Sequence, residues 1–162
     1  MCINPSPFSS GKITDIISSE KGLVNKYIGD AVLAVFGAPI EMVDHADAAL
    51  RAAVKMQEAL KELNRKFLAN GTPTLQNRIG IHSGEVLAGI VGSKVRMEYT
   101  VIGDTVNIAS RLEKVAKDVG QSIIVSEQTQ GRLQAQAKNV EFLNEVRVRG
   151  RSEPVRIYKR VS

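Results

Sequence analysis

The 162-residue chain has one cysteine, no tryptophan, and aromatics at only 4% of its residues. A single cysteine, Cys2, excludes an internal disulfide and fits a reducing, cytoplasmic compartment. The scarcity of rings leaves a core built on Val, Ile, Leu and Ala. It also removes the stacking platform that single-stranded nucleic acid requires. No apolar run is long enough to cross a bilayer, so no membrane segment is expected in these residues. The first ten residues lack the basic flank and long apolar stretch of a signal peptide. No internal repeat or low-complexity tract is present. Charge is only weakly one-sided, with 22 Lys and Arg against 17 Asp and Glu, a net +5 spread along the chain. That argues against a nucleic-acid partner and leaves room for a small phosphorylated ligand.

What is present is an interleaving of strand and helix patterns in a chain long enough for one domain with a full core. Residues 1–12 are rich in Ser and Pro and read as a loose arm; residues 13–162 read as the folded domain. Residues 13–19 resemble the last turns of a helix. Residues 23–28 and 31–36 form strand patterns on either side of Gly29-Asp30. Asp44 has the position of an N-cap, followed by a long helix with Ala46, Leu50, Ala53, Met56, Leu60, Leu63 and Phe67 on one stripe. Asn70-Gly71-Thr72-Pro73 ends it. Residues 75–82 and 85–91 read as strands around Ser83-Gly84, with 92–96 a polar turn. Residues 122–125 form a strand, 127–133 a short helix, and 140–148 with 154–158 a closing hairpin around Gly150. Three apparent hairpins among helices predict an α+β fold. The expected form is a ferredoxin-like core with additional strands, a mixed or antiparallel sheet carrying helices on one side.

The most informative stretch runs from Glu98 to Glu113. It reads as a strand ending at Gly103 that feeds a helix capped by Asp104, with an apolar stripe at Val106, Ala109, Leu112, Ala116 and Val119. Asn107 and Arg111 are four residues apart and project from one face beside that stripe. An amide and a guanidinium aimed at one point suit an anionic, oxygen-rich ligand, and equally describe the polar side of an amphipathic helix. Thr100, at the strand end, adds a possible third contact, although Thr is ordinary in strands. Asp30 lies at a hairpin tip. Alone it reads first as turn chemistry and second as a carboxylate for a hard cation such as Mg²⁺. Lys26 precedes it by an even number of residues, which puts both on one face if the strand stays regular. His45 and His82 have no ligand pattern around them and read as structural or surface residues. Gly80, Gly84, Gly89 and Gly92 lack the context of a phosphate loop.

The joint pattern is more specific than its parts. Lys26-Tyr27-Ile28-Gly29-Asp30 before an apolar strand, then Arg78-Ile79-Gly80-Ile81-His82-Ser83-Gly84, then Glu98 through Asn107, then Ala109-Ser110-Arg111-Leu112-Glu113, in that order, resembles the catalytic domains of class III nucleotide cyclases. The resemblance covers residues 13 to 158. It implies an adenylate cyclase acting on ATP with Mg²⁺ or Mn²⁺, as a homodimer or a heterodimer with another cyclase domain whose active site is shared across the interface. Residue by residue, it implies that Asp30 is a metal carboxylate, Asn107 orients the ribose and Arg111 steadies the reacting phosphate. Lys26 and Thr100 match the base-recognising positions. Arg149 matches a cation that contacts the terminal phosphates.

One part of the family pattern is missing. Family members open with a strand bearing Phe-x-Asp-Ile-x-Gly-Phe-Thr, which supplies the first metal aspartate, and nothing before Lys12 matches it. The expectation is a domain lacking its first strand and first helix, with one metal carboxylate identified and a gap in the sheet. Two further readings stay open at this stage: a non-catalytic half that completes the active site of an intact subunit, and a nucleotide-binding module without chemistry.

Overall fold

The computed structural model describes residues 1–4, 10–29, 31–93, 96–147 and 153–161. Its first six elements are β1 (Cys2–Asn4), α1 (Ser10–Ser19), β2 (Leu23–Ile28), β3 (Ala31–Val35), α2 (His45–Ala69) and β4 (Arg78–Ile81). The strands line up in the order β2-β3-β1-β4, with each neighbouring pair antiparallel. That order is the ferredoxin-like core the sequence predicts. Beyond β4 the sheet continues with β7 (Ile123–Ser126), which runs parallel to β4. It ends with β9 (Val155–Arg160) and β8 (Val140–Val146), both antiparallel to their neighbours. The remaining elements described are a separate two-stranded ribbon of β5 (Leu87–Ser93) and β6 (Arg96–Ile102), the helix α3 (Asp104–Asp118), the short α4 (Glu127–Gln130) and a 3₁₀ turn at Ala137–Asn139.

Strand alternation sorts the core into two layers. Ile3, Val32, Ala34, Ile79, Ile81, Ile123 and Val125 face α1 and α2, whose Ile13, Ile17, Leu50, Ala53 and Met56 meet them. The intervening Ile124 and Ile157 face the opposite way, onto Ile108, Leu112 and Ala116 of α3. Helices therefore cover both sides of the sheet, where the sequence suggested one. The two periods, 2 in the strands and 3.6 in the helices, are legible in the sequence; which face each helix takes is not.

Three local expectations change. Cys2–Asn4, part of the 1–12 stretch assigned to a loose arm, form β1. Cys2 pairs with Leu33 on one side and Gly80 on the other, so the expected gap in the sheet is filled. Burial raises the pKa of the Cys2 thiol. The supposed hairpin of residues 75–82 and 85–91 does not form: β4 pairs with β1 and β7, and β5 pairs with β6, Ile90 opposite Tyr99. Asp44 stands at the N-cap of α2 without capping it through its side chain, because its carboxylate accepts a hydrogen bond from Arg51 Nη2 at 3.0 Å.

Candidate functional site

Helix α3 carries the first pair of candidate residues, and its placement follows from two glycines and a threonine. Strand β6 ends at Ile102, and Gly103 follows at φ 151°, a conformation that a side chain disfavours. The helix then starts at Asp104, one residue earlier in the motif than a capping Asp would allow. Asp104 sits in the first turn, where its charge suits the helix dipole. Thr105 Oγ1 donates to the Glu85 carbonyl at 2.7 Å, fastening that turn to the segment before β5. Gly80 of β4 lies directly under the helix. A Cβ there would stand 2.5 Å from the Ala109 carbonyl oxygen and would also strike the Glu113 amide. The helix backbone therefore rests on the strand with nothing between them.

On the helix so seated, Ile108, Ala109, Leu112 and Ala116 are buried. Asn107 is exposed and Arg111 half-buried. They share a face, as the spacing predicts, and neither belongs to the core. An amide and a guanidinium on one face suit an anionic, oxygen-rich ligand.

The second pair lies where β2 meets β6. Along β2, Val24 pairs with Ala34 and Lys26 with Leu33, so Asn25 is an extra residue, a β-bulge. Asn25 Nδ2 donates to the Tyr99 carbonyl of β6 at 3.0 Å. Lys26 is exposed on one side of this junction, and Thr100 is half-buried on the other. Thr100 Oγ1 and Asn25 Oδ1 are both buried without a hydrogen-bond partner. Sequence reasoning finds Lys26 and Thr100 but passes over Asn25, because a bulge leaves no mark in a strand's alternation.

Asp30 and Arg149 fall outside the described residues. Among the described residues no three His, Cys, Asp or Glu side chains group to hold a metal ion. No helix among them is long and apolar enough to cross a membrane. His82, expected to be a structural or surface residue, is buried with Nδ1 at 2.8 Å from Ser126 Oγ, and Ser126 in turn bonds Thr129. A cavity of about 190 Å³ between β3, β4 and the start of α3 is lined by Phe36, His45, His82, Ser83 and Val106 among others. It includes none of Lys26, Thr100, Asn107 and Arg111. The four candidate residues lie apart from that cavity, with Lys26 and Asn107 on the exposed surface.

Comparison with known proteins bears on that surface. The family model for the adenylate and guanylate cyclase catalytic domain matches residues 10–159. Adenylate cyclase 1 of Rhizobium meliloti is 38% identical over 149 residues, covering 90% of this chain and 22% of that protein. An adenylate cyclase of Anabaena cylindrica is 36% identical over 149 residues, covering 88% of this chain and 29% of that protein. The chain therefore spans about a quarter of the length of these curated relatives. Among solved structures, the adenylyl cyclase CyaB of P. aeruginosa superposes with a TM-score of 0.80 at 30% identity, covering 94% of this chain and 78% of that one. The guanylyl cyclase Cya2 superposes with a TM-score of 0.78 at 34% identity, covering 93% and 75%.

Proposed function

Because the chain belongs to the family of adenylate and guanylate cyclase catalytic domains, we propose that it converts ATP to 3′,5′-cyclic AMP and pyrophosphate in the cytoplasm, as one half of a dimer. The observation that carries this reading is the shared outward face of Asn107 and Arg111 on a helix held rigidly against the sheet. Asn107 is exposed and Arg111 half-buried, on a face where a second protomer can supply the rest of a site. Lys26 and Thr100 at the β2–β6 junction provide the choice of base. Lys26 only donates, which matches the N1 acceptor of adenine, and Thr100 can accept from the 6-amine.

In the reaction the ribose 3′-oxygen bonds to the α-phosphorus and the bond from that phosphorus to the bridging oxygen of the β-phosphate breaks. The 3′-hydroxyl proton is released and pyrophosphate leaves. The step needs nucleophile and leaving group in line, a geometry worth many orders of magnitude in effective concentration when held. Asn107 holds the sugar in that geometry. Arg111 directs paired N–H donors at the non-bridging α-phosphate oxygens, where negative charge grows as the new bond forms. Arg149 meets the terminal phosphates. Asp30 would hold the Mg²⁺ or Mn²⁺ that accompanies ATP, and such an ion would supply positive charge to the phosphates.

The test is cyclic AMP formation from ATP in the presence of Mn²⁺ or Mg²⁺. The expected result is product from the wild-type chain and at least about a hundredfold less from Asn107→Ala or Arg111→Ala. Absence of product from the wild type, or undiminished product from both variants, overturns the assignment.

A further inference from the structure

The β5–β6 ribbon is not part of the seven-stranded sheet. Two-stranded ribbons hold their position poorly unless something anchors them. Strand β2 is joined to it by the hydrogen bond from Asn25 Nδ2 to the Tyr99 carbonyl. The bulge makes that bond possible. The extra residue in β2 has no opposite number in β3, so its side chain is free of the ladder's alternation and turns toward β6. The two residues assigned to base recognition are the immediate chain neighbours of the two ends of this bond: Lys26 follows Asn25, and Thr100 follows Tyr99. That side-chain amide therefore bridges the backbone segments that carry them.

The same junction holds two buried oxygens without partners, Asn25 Oδ1 and Thr100 Oγ1. A buried acceptor left unsatisfied is costly and is uncommon in a part of a fold that serves packing alone. Both atoms can accept from an N–H donor, and the 6-amine of adenine carries two such hydrogens, whereas guanine presents a carbonyl oxygen at that position.

We propose that Asn25 is a positioning residue for base selection: it clips the ribbon to β2 and fixes the distance between Lys26 and Thr100. The inference rests on the adenylate cyclase reading of the same site. Its role is separable from that of Asn107 and Arg111, which lie on a different element and deal with sugar and phosphate.

The experiment is competitive displacement of a ribose-labelled fluorescent ATP from the 162-residue chain with Mg²⁺, using ATP, GTP and inorganic tripolyphosphate as competitors. Wild type is expected to prefer ATP over GTP. Asn25→Ala is expected to lower that preference about tenfold, the worth of one well-placed hydrogen bond, with tripolyphosphate affinity unchanged. Asn25→Asp keeps the size but sets an oxygen against the Tyr99 carbonyl, and lowers the preference at least as far. A general loss of structure would weaken tripolyphosphate and both nucleotides together, which overturns the proposal, as does an ATP preference that survives in both variants. A wild-type chain without any preference for ATP overturns the adenylate reading, and this inference with it.

Discussion

The helix α3 and the β5–β6 ribbon follow one another in the chain but are held in opposite ways. The helix lies backbone-to-backbone on β4 at Gly80, with Ile108, Leu112 and Ala116 packed on Ile124 and Ile157. The ribbon leaves Leu87, Ile90, Val91, Met97 and Ile102 exposed, and a side-chain amide ties it to β2. The residues that would stabilise a transition state sit on the rigid element, and one of the residues that would choose the base sits on the loose one. Rate depends on fixed geometry, since a displacement of about 1 Å costs on the order of a hundredfold. Choice of base tolerates, and can be retuned through, a softer support. The difference teaches that turnover and selectivity should respond to different substitutions.

The strongest way to break that comparison is at Arg111. Arg111→Ala is expected to lower kcat by about 10²–10³-fold, with unchanged preference between ATP and GTP. A change in base preference of similar size would show that the two regions are not independent. Gly80→Ala comes next. It drives a methyl group into the α3 backbone, and is expected to cost about 2–3 kcal/mol and lower the melting temperature by about 5–10 °C. Calorimetry checks it; a neutral result would mean the helix is free to lift, and the contrast in stiffness would fall. Lys26→Glu replaces a donor by an acceptor and is expected to reduce the ATP-over-GTP ratio about tenfold while sparing stability.

Two smaller effects sharpen the comparison from outside it. Glu20 is buried, a condition that alone raises its pKa. Hydrogen bonds and charge from Lys55 and Arg51 outweigh that and leave it lowered. A lowered carboxylate pKa stabilises the fold above the unfolded-state value and loses that contribution as pH falls through the folded-state value. Glu20→Gln is therefore expected to cost about 1 kcal/mol in urea melts at pH 7 and to match wild type at strongly acid pH. Ile90→Lys, on the exposed ribbon, is expected to change monomer stability by less than about 0.5 kcal/mol. It should nevertheless weaken self-association in sedimentation, if the ribbon lies in the contact between protomers.

Most of the architecture was readable from periodicity. The strands at 23–28, 31–36 and 140–148 and the long helix after Asp44 appear close to where alternation and the apolar stripe put them. The failures have physical causes. β1 is three residues long, too short for alternation to register, and the Ser and Pro that follow it drew the reading toward a loop. The partners of β4 and β5 were misjudged because a strand pattern carries no record of which neighbour it pairs with; Ser83-Gly84 looks like a turn whether or not the chain doubles back. At the site, Asn107 and Arg111 were legible because four residues make one helical turn. Asn25 was not, since a bulge exists only relative to a partner strand. Gly80 was noted and set aside as a phosphate-loop candidate, and its use proves to be steric: it is the space where a helix touches down.

The shortest strand has the widest reach. With Cys2 against Leu33 on one flank and Gly80 on the other, three residues join a block of two strands to a block of four. Whatever cooperativity the sheet possesses must pass through that narrow isthmus. Deuterium uptake should find it the first line along which the domain parts, with the Lys26 bank drifting from the bank that bears Arg111 before either one unravels.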